Sequence, residues 1–482
     1  MKKNVGISVL EFNSKVKEQA ITDKEADFDP QVSAKFTGDK SIHPVSSALA
    51  SPNNSLTENL NWEAGLKQKA VTGGDYELKF TNKKTDVNSV FAGLNPQYSS
   101  ELKLTLTQPL LKNFGVDINK KDIHIAQNDR TISEFDFKKQ VIDIISNTES
   151  VYWNLAFSIE DLKVKEKSLE RARDFEKIVK AQVDVGAVAP LEILQAQSEV
   201  ASREEFVIAA KDLIKDNEEN LKNILNMPFE SPEGQKALLP VDQPVYFAKN
   251  DIDLNEAIKE ALTNRPDYLR KKKELENKNI VVKYSENQMY PSVDLVGSLG
   301  LNGIAGDARS ITSLSTGTTS RSPFSGGYGE TLDNLASRDY YSWEVGVKMN
   351  YPLGNRSAKS RLTAARLEVE QTLLDIKDLE KKIVVDAREA VRQIGTDAKQ
   401  VEATRVAVKL AEEKLKAEEK KFKVGLSTSF NVLQFQEDLA KEQSNQIKAV
   451  IDYNKTLIKL RQVMGNTLER HNIQLSTRTM GK

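Results

Sequence analysis

Val185–Gln197 reads VGAVAPLEILQAQ, and Val424–Gln436 reads VGLSTSFNVLQFQ. The second stretch is the first displaced by 239 residues, with Val, Gly, Leu, Gln and Gln at the same places in both. In each copy a glycine follows a long charged helical stretch. Small or helix-breaking residues come next, and an apolar-periodic helix then restarts. A helix commonly ends on a residue at positive φ, a conformation glycine adopts without a Cβ clash, so Gly186 and Gly425 are expected to terminate helices. Pro190 suits the first turn of the following helix, where its missing N–H costs nothing, and Ser429 is the expected N-cap of the second copy. One such turn is an ordinary helical hairpin. Two in matched surroundings indicate a duplicated architecture.

Working outward from these tips, residues 119–184 and 356–423 read as two long helices, each on the order of 100 Å at 1.5 Å per residue. That length suits a coiled coil better than a globular domain. The second carries rows seven residues apart, Leu362, Val369, Ile376, Ile383 and Ala390 in one, and Ala387, Ile394, Val401, Val408, Leu415 and Phe422 in the other. A sustained seven-residue period implies left-handed supercoiling against neighbours. After the tips, residues 190–226 and 430–464 form shorter helices of about 55 Å, and the helices expected at 4–28 and 265–289 are about 37 Å each. One of each, stacked end to end, matches a long helix, which gives a wall of two continuous helices and two spliced pairs per chain.

Strand patterns lie at the other ends of the long helices. Val32, Ala34 and Phe36 alternate with polar residues, as do Leu102, Leu104 and Leu106, then Val293, Leu295, Leu299 and Leu301, and finally Tyr341, Trp343, Val345, Val347, Met349 and Tyr351. Period two is the mark of a strand with one apolar face. Pro30, Pro109, Pro291 and Pro352 stand at the four helix/strand switches, where proline ends helix pairing and is tolerated at a strand end. At about 9–11 residues such strands cross a bilayer when tilted. Residues 61–82 read as a β-hairpin around Thr72-Gly73-Gly74 that the second half lacks, and it is not assigned to the same sheet. Residues 39–60 and 83–98, and the Ser/Thr/Gly-rich 303–336, read as loops. The helix at 253–262 precedes the second copy, and the first copy has no room for it before Met1. Either the chain as given begins inside its first repeat, with an export signal belonging to the missing part, or the first copy never had the segment.

Composition excludes several function classes. The 482 residues hold 69 basic and 70 acidic side chains, a formal net charge of −1, so no basic excess points to nucleic acid. There is no cysteine, which removes thiolate metal sites, cysteine nucleophiles and disulfides. No run of 18 apolar residues is present, so no transmembrane helix is expected. His43, His124 and His471 have no metal-ligand spacing, and no phosphate-binding loop occurs. Neither an enzyme nor a cofactor is expected.

The two tips, together with Leu106-Thr107-Gln108-Pro109-Leu110, Asn264-Arg265-Pro266-Asp267 and Tyr290-Pro291-Ser292-Val293, resemble the outer-membrane efflux (TolC-like) family over about residues 4–470. The resemblance implies a mostly α protein with membrane β-structure. Three chains of four strands each would build a β-barrel, continued by a long α-helical coiled-coil tunnel through the periplasm of a Gram-negative bacterium. On this reading residues 1–227 are a first structural repeat, 228–252 an equatorial linker, 253–466 a second repeat and 467–482 a tail. The resemblance further implies a homotrimer in outer-membrane lipid, acting as the passive exit duct of a tripartite efflux pump or type I secretion system for small molecules or proteins. Its tips would meet a periplasmic adaptor joined to an inner-membrane pump. Val185, Gly186, Leu191, Leu194, Val424, Gly425, Leu426 and Leu433 are then the adaptor-contacting entrance, and Glu192, Gln195, Asn431 and Gln434 the polar tunnel mouth. Lys103, Glu344, Lys348 and Asp294 would point into the lumen, and Tyr341, Trp343 and Tyr351 would lie at the membrane interfaces. Two departures stand out. Asn431 and Gln434 are uncharged where family members often carry aspartates, and Ser427 stands where some members have a basic residue. No gating salt bridge therefore carries over, and the second tip is expected to be held by uncharged contacts. A periplasmic adaptor, with one hairpin between compact β-domains, and a soluble structural coiled coil are the alternatives. Neither gives the prolines and membrane-length strands a purpose.

Overall fold

The computed structural model describes residues 5–45, 54–232, 234–242, 244, 246, 252–312 and 317–475. In chain order the elements are α1 (Val5–Glu25), a short 3-10 turn (Ala26–Phe28), β1 (Gln31–Pro44), β2 (Asn54–Lys69), β3 (Asp75–Val87), β4 (Leu94–Pro109), α2 (Val116–Asn119), α3 (Lys121–Asp184), α4 (Leu191–Ile224), α5 (Leu254–Asn264), α6 (Pro266–Asn287), β5 (Ser292–Ala308), β6 (Ser310–Thr312), β7 (Thr319–Arg321), α7 (Tyr328–Ser337), β8 (Tyr341–Asn350), α8 (Arg356–Lys423), α9 (Ser429–Met464) and α10 (Thr467–Arg470). They form two compact units: residues 17–129 with 275–371, which hold the strands, and residues 1–16, 130–274 and 372–482, which hold the tips. No helix among the described residues is long and apolar enough to cross a membrane, which says nothing of a β-barrel.

The strand unit is one antiparallel sheet in the order β1-β2-β3-β4-β5-β8, with β6 and β7 as a separate short pair. This corrects the expected four strands per chain. The hairpin at 61–82 lies inside the sheet, as β2 and β3 between β1 and β4, rather than beside it. The strands are also longer than the apolar alternation implied. Residues 39–44, 54–60, 83–87 and 94–98, read as loop, are paired strand, and β5 runs on to Ala308. The reason is local. In these stretches apolar residues such as Ile42, Leu56 and Val87 are scattered among Ser, Thr, Asn and charged residues, so no sustained alternation marks the pairing, while backbone ladder bonds to the neighbouring strand still form.

In the tip unit, heptad positions become core. Ala390, Ile394 and Val401 of α8 bury against Ala449, Tyr453 and Leu460 of α9. Nearer the tips, Leu415 and Phe422 of α8 pack with Phe175 and Val179 of α3, Ala196 of α4 and Val432, Leu433 and Leu439 of α9. Residues of the 228–252 linker that are described lie on these helices. Tyr152 donates from its hydroxyl to the Asp242 carboxylate at 2.8 Å, and the Tyr246 hydroxyl donates to the Ala398 carbonyl at 3.2 Å.

The Asn264-Arg265-Pro266-Asp267 motif gains a physical reason. Arg265 ends α5 in extended backbone, and Pro266 opens α6. The Arg265 guanidinium grips Asp267 through two hydrogen bonds of 3.0 and 2.7 Å and reaches Asp386 of α8 at 3.0 Å. Burial alone would raise the Asp267 pKa, but Arg265, through hydrogen bonds and charge, outweighs it and holds the carboxyl below the usual range. A depressed carboxylate stabilises the fold above the ordinary aspartate range and loses that contribution as pH falls through its folded pKa. Asp267→Ala is therefore expected to cost about 1.5–3 kcal/mol at neutral pH. The difference from the parent should shrink below about pH 4, as checked by thermal unfolding at pH 7 and pH 3.

Candidate functional site

Register divides the sheet into two chemically distinct faces. Phe36, Trp62, Asn82, Ser100 and Gly303 stand directly opposite one another across five strands. Along the strands from this row towards the prolines, the same face carries Leu66, Leu78, Leu104, Leu299, Trp343 and Val345, a continuous apolar belt. The other face carries Lys35, Glu63, Lys79, Lys103, Glu101 and Glu344. Glu63 and Lys79 form an ion pair at 2.8 Å, and Asp294 stands opposite Lys348. The four residues expected inward thus share the polar face, and Tyr341, Trp343 and Tyr351 are exposed. An apolar belt on one face and charges on the other is the division of a sheet between lipid and water.

The belt ends at α7. That helix lies on the apolar face at the end of the sheet away from the prolines. A Cβ on Gly303 would stand 2.1 Å from the Thr331 carbonyl oxygen. The Tyr328 hydroxyl donates to Asn82 Oδ1 at 2.9 Å, and its ring meets Trp62 edge-on at 5.1 Å. The stretch 303–336, expected to be loop, is therefore partly strand and partly this helix. The glycine at Gly303 is what lets it approach.

The two tips are built as the repeat implied. Gly186 and Gly425 take φ of 71° and 76°. The amides of Ala187 and Leu426 return to the Gln182 and Lys421 carbonyls at 2.8 and 2.9 Å, closing both helices by the same backbone device. Pro190 is the N-cap of α4 rather than its first residue, and Thr428, not Ser429, caps α9, accepting from the Asn431 amide. Apolar side chains face outward at both turns: Val185 is 79% exposed, Leu191 62%, Leu194 63%, Val424 69% and Leu426 78%. Leu433 does not join them. At 5% exposure it lies in the core against Phe422 and Val432, which corrects its expected place among the contacting residues. The matched Leu194 is 63% exposed, whereas Leu433 is covered by side chains of α3, α4 and α8. Asn431, Gln434 and Gln195 are exposed and Glu192 is half-buried, so none of these four is locked into the core.

Two features were not legible. Ser427 donates to the Glu418 carboxylate at 2.6 Å, and Lys421 joins it at 3.1 Å. The second tip is thus held by a charged acceptor, not by uncharged contacts alone. Ser427 and then Lys421 hold the Glu418 carboxyl below its usual range, so this latch is present above that range and released as pH falls through the lowered value. Ser427→Ala is expected to make a spin label at Leu426→Cys, in a chain without other cysteines, as mobile at pH 7 as the parent is at pH 3. The second feature is Arg203 of α4, only 2% exposed. It donates to Glu199 at 2.8 Å, to the Ser168 carbonyl of α3 at 3.1 Å, and to the Gln436 side chain and Leu433 carbonyl of α9 at 3.1 and 2.9 Å. One cation ties the first hairpin to the second. The repeat held a clue: the position 239 residues on is Glu442, so the two copies differ here in charge.

The outer membrane efflux protein family matches residues 75–227 and 257–466, the two halves that carry the tips. The chain belongs to this family. It is a non-enzymatic outer-membrane channel of the Gram-negative efflux and secretion type, with a periplasmic helical tunnel. Nodulation protein T of Rhizobium leguminosarum bv. trifolii is 24% identical over 365 residues, covering 74% of this chain and 70% of that protein. Among solved structures, the outer-membrane channel OprN is similar with a TM-score of 0.67 and 14% identity over 96% of this chain and 87% of its own. The Campylobacter jejuni CmeC outer membrane channel is similar with a TM-score of 0.66 and 14% identity over 98% and 88%. These likenesses extend the shared fold to nearly the whole efflux channel chain. Among the described residues no cluster of side chains could hold a metal ion.

Proposed function

We propose that this efflux channel works as a homotrimer and as the passive exit duct of a tripartite pump or type I secretion system, carrying small molecules or proteins driven by an inner-membrane pump. The two halves, 1–227 and 253–466, act as structural repeats around the 228–252 linker, with 467–482 as a tail. The observation that carries this reading is the pair of glycine-closed tips with Val185, Leu191, Leu194, Val424 and Leu426 turned to solvent. Exposed apolar side chains clustered at a turn mark an interaction site, and helical tips of this shape suit the apolar face of a partner's helical hairpin. A periplasmic adaptor is that partner. Glu192, Gln195, Asn431 and Gln434 supply a polar mouth beside it.

A photo-crosslinking residue at Leu194 or Leu426 is expected to capture the adaptor when the two are co-expressed, while one at the buried Leu433 is not. Loss of both adducts from protein that still reaches the outer membrane would exclude tip docking. Asn431→Asp is expected to raise cation preference in single-channel recordings; an unchanged preference would place Asn431 away from the mouth.

A further inference from the structure

We infer that the membrane barrel of this channel is closed by 18 strands, six from each of three chains, through pairing of β1 of one chain with β8 of the next. The inference rests on the trimer proposed above. In the sheet, β1 pairs with β2 alone and β8 with β5 alone, so each keeps one open edge. Both edge strands are open to solvent in the single chain, and each has one apolar face: Val32 is 83% exposed and Trp343 70%. Unpaired backbone groups cannot face lipid, where each costs several kcal/mol, and a second copy of the same chain is the occupant that supplies a matching edge. The strand count allows it. An even number of alternating strands leaves β1 and β8 running in opposite directions, so the junction continues the antiparallel order.

The stagger of the sheet also fits. Register links Gln31 through Lys67, Glu77, Thr105 and Ser298 to Glu344. Glu344 is thus level with the first residue of β1, and β8 runs six residues further, to Asn350. Bringing the proline-marked ends of neighbouring chains together requires a six-residue slip, one residue per strand. At 3.3 Å per residue and 4.8 Å between strands, this tilts the strands by about 35°, within the range of membrane barrels. Because the slip is even, it sets apolar residues against apolar ones, Met349 by Val32, Val347 by Ala34 and Val345 by Phe36. The β2–β3 hairpin does not hang outside this wall. Its turn is pinned at the proline end, where the Gly115 amide donates to the Thr72 carbonyl at 3.1 Å and Thr72 Oγ1 bonds Gln108 at 2.9 Å.

A barrel of this strand number and tilt is about 34 Å across between backbones, against about 23 Å for 12 strands. With side chains inside, the lumen is about 24 Å wide, enough for two packed helices of about 10–12 Å each. The exit would therefore pass folded secondary structure as well as small solutes.

Electron cryomicroscopy of the detergent-extracted full chain, with its mass measured in parallel, tests this. The expected result is a three-chain particle with 18 strands and β2–β3 within the wall. A three-chain particle with 12 strands would overturn the inference and leave the trimer standing, whereas any other mass would overturn the trimer itself. The double variant Thr37→Cys with Glu344→Cys reads the register, since the six-residue slip places these residues opposite one another. Oxidation is expected to link three chains covalently, and no linkage in a three-chain particle would refute the slip.

Discussion

Arg203→Ala is expected to destabilise the tip unit by roughly 3–5 kcal/mol, the cost of removing one partner from a buried charged network. The substitution leaves the Ser168 and Leu433 carbonyls and the Gln436 amide oxygen without their shared donor, and the Glu199 carboxylate without its cation. These acceptors sit on three helices, so the loss is one of coupling as well as stability. Amide exchange should rise in α9 from Leu433 through Leu439, whose side chains share the core with Phe175 and Val179 of α3. Arg203→Lys keeps the charge but cannot reproduce the planar fork, and is expected to recover less than half of the lost stability. An unfolding midpoint unchanged by Arg203→Ala would show that the two hairpins do not depend on this residue.

Gly303→Val is expected to lift α7 from the sheet. Its Cβ would lie 2.1 Å from the Thr331 carbonyl oxygen and 3.0 Å from the Leu335 amide nitrogen, both backbone atoms of a helix that cannot yield locally. Overpacking of this kind costs about 1–3 kcal/mol, and here it also strips Tyr328 from Trp62 and from Asn82. In a background where Trp153 and Trp343 are Phe, the Trp62 emission should shift to the red. Gly297→Val is the matched control. It lies on the same strand and the same face, but its Cβ would meet nothing within 4 Å, so emission should stay put. A red shift in both variants, or in neither, would refute the seating of α7 on Gly303.

These two sites show where sequence reading reaches and where it stops. The long helices were legible because apolar residues recur every seven places over many turns, and α8 falls at 356–423 as the pattern indicates. The tips were legible because glycine at positive φ, followed by a cap, has a local cause. The strands were legible only where one face is apolar: Leu102, Leu104 and Leu106 announce β4, whereas Ser99 and Ser100 do not announce its continuation. Inclusion of β2 and β3 in the sheet was hidden for a different reason. A hairpin signal fixes local pairing, not the outer neighbours of its two strands. Arg203 and Leu433 mark the same limit. Arg203, a single arginine in a charged helix, acquires its burial from α3 and α9, and Leu433, matched to an exposed copy, acquires its burial from the α3, α4 and α8 side chains packed around it.

As an efflux channel, this chain must form a membrane-embedded conduit. The direct measurement is ion conductance of the detergent-extracted protein after addition to a planar lipid bilayer. Discrete, stepwise conductance increments are expected, each from a multi-chain particle that needs detergent to stay dispersed. A monomer that remains soluble without detergent and leaves the bilayer silent would contradict it.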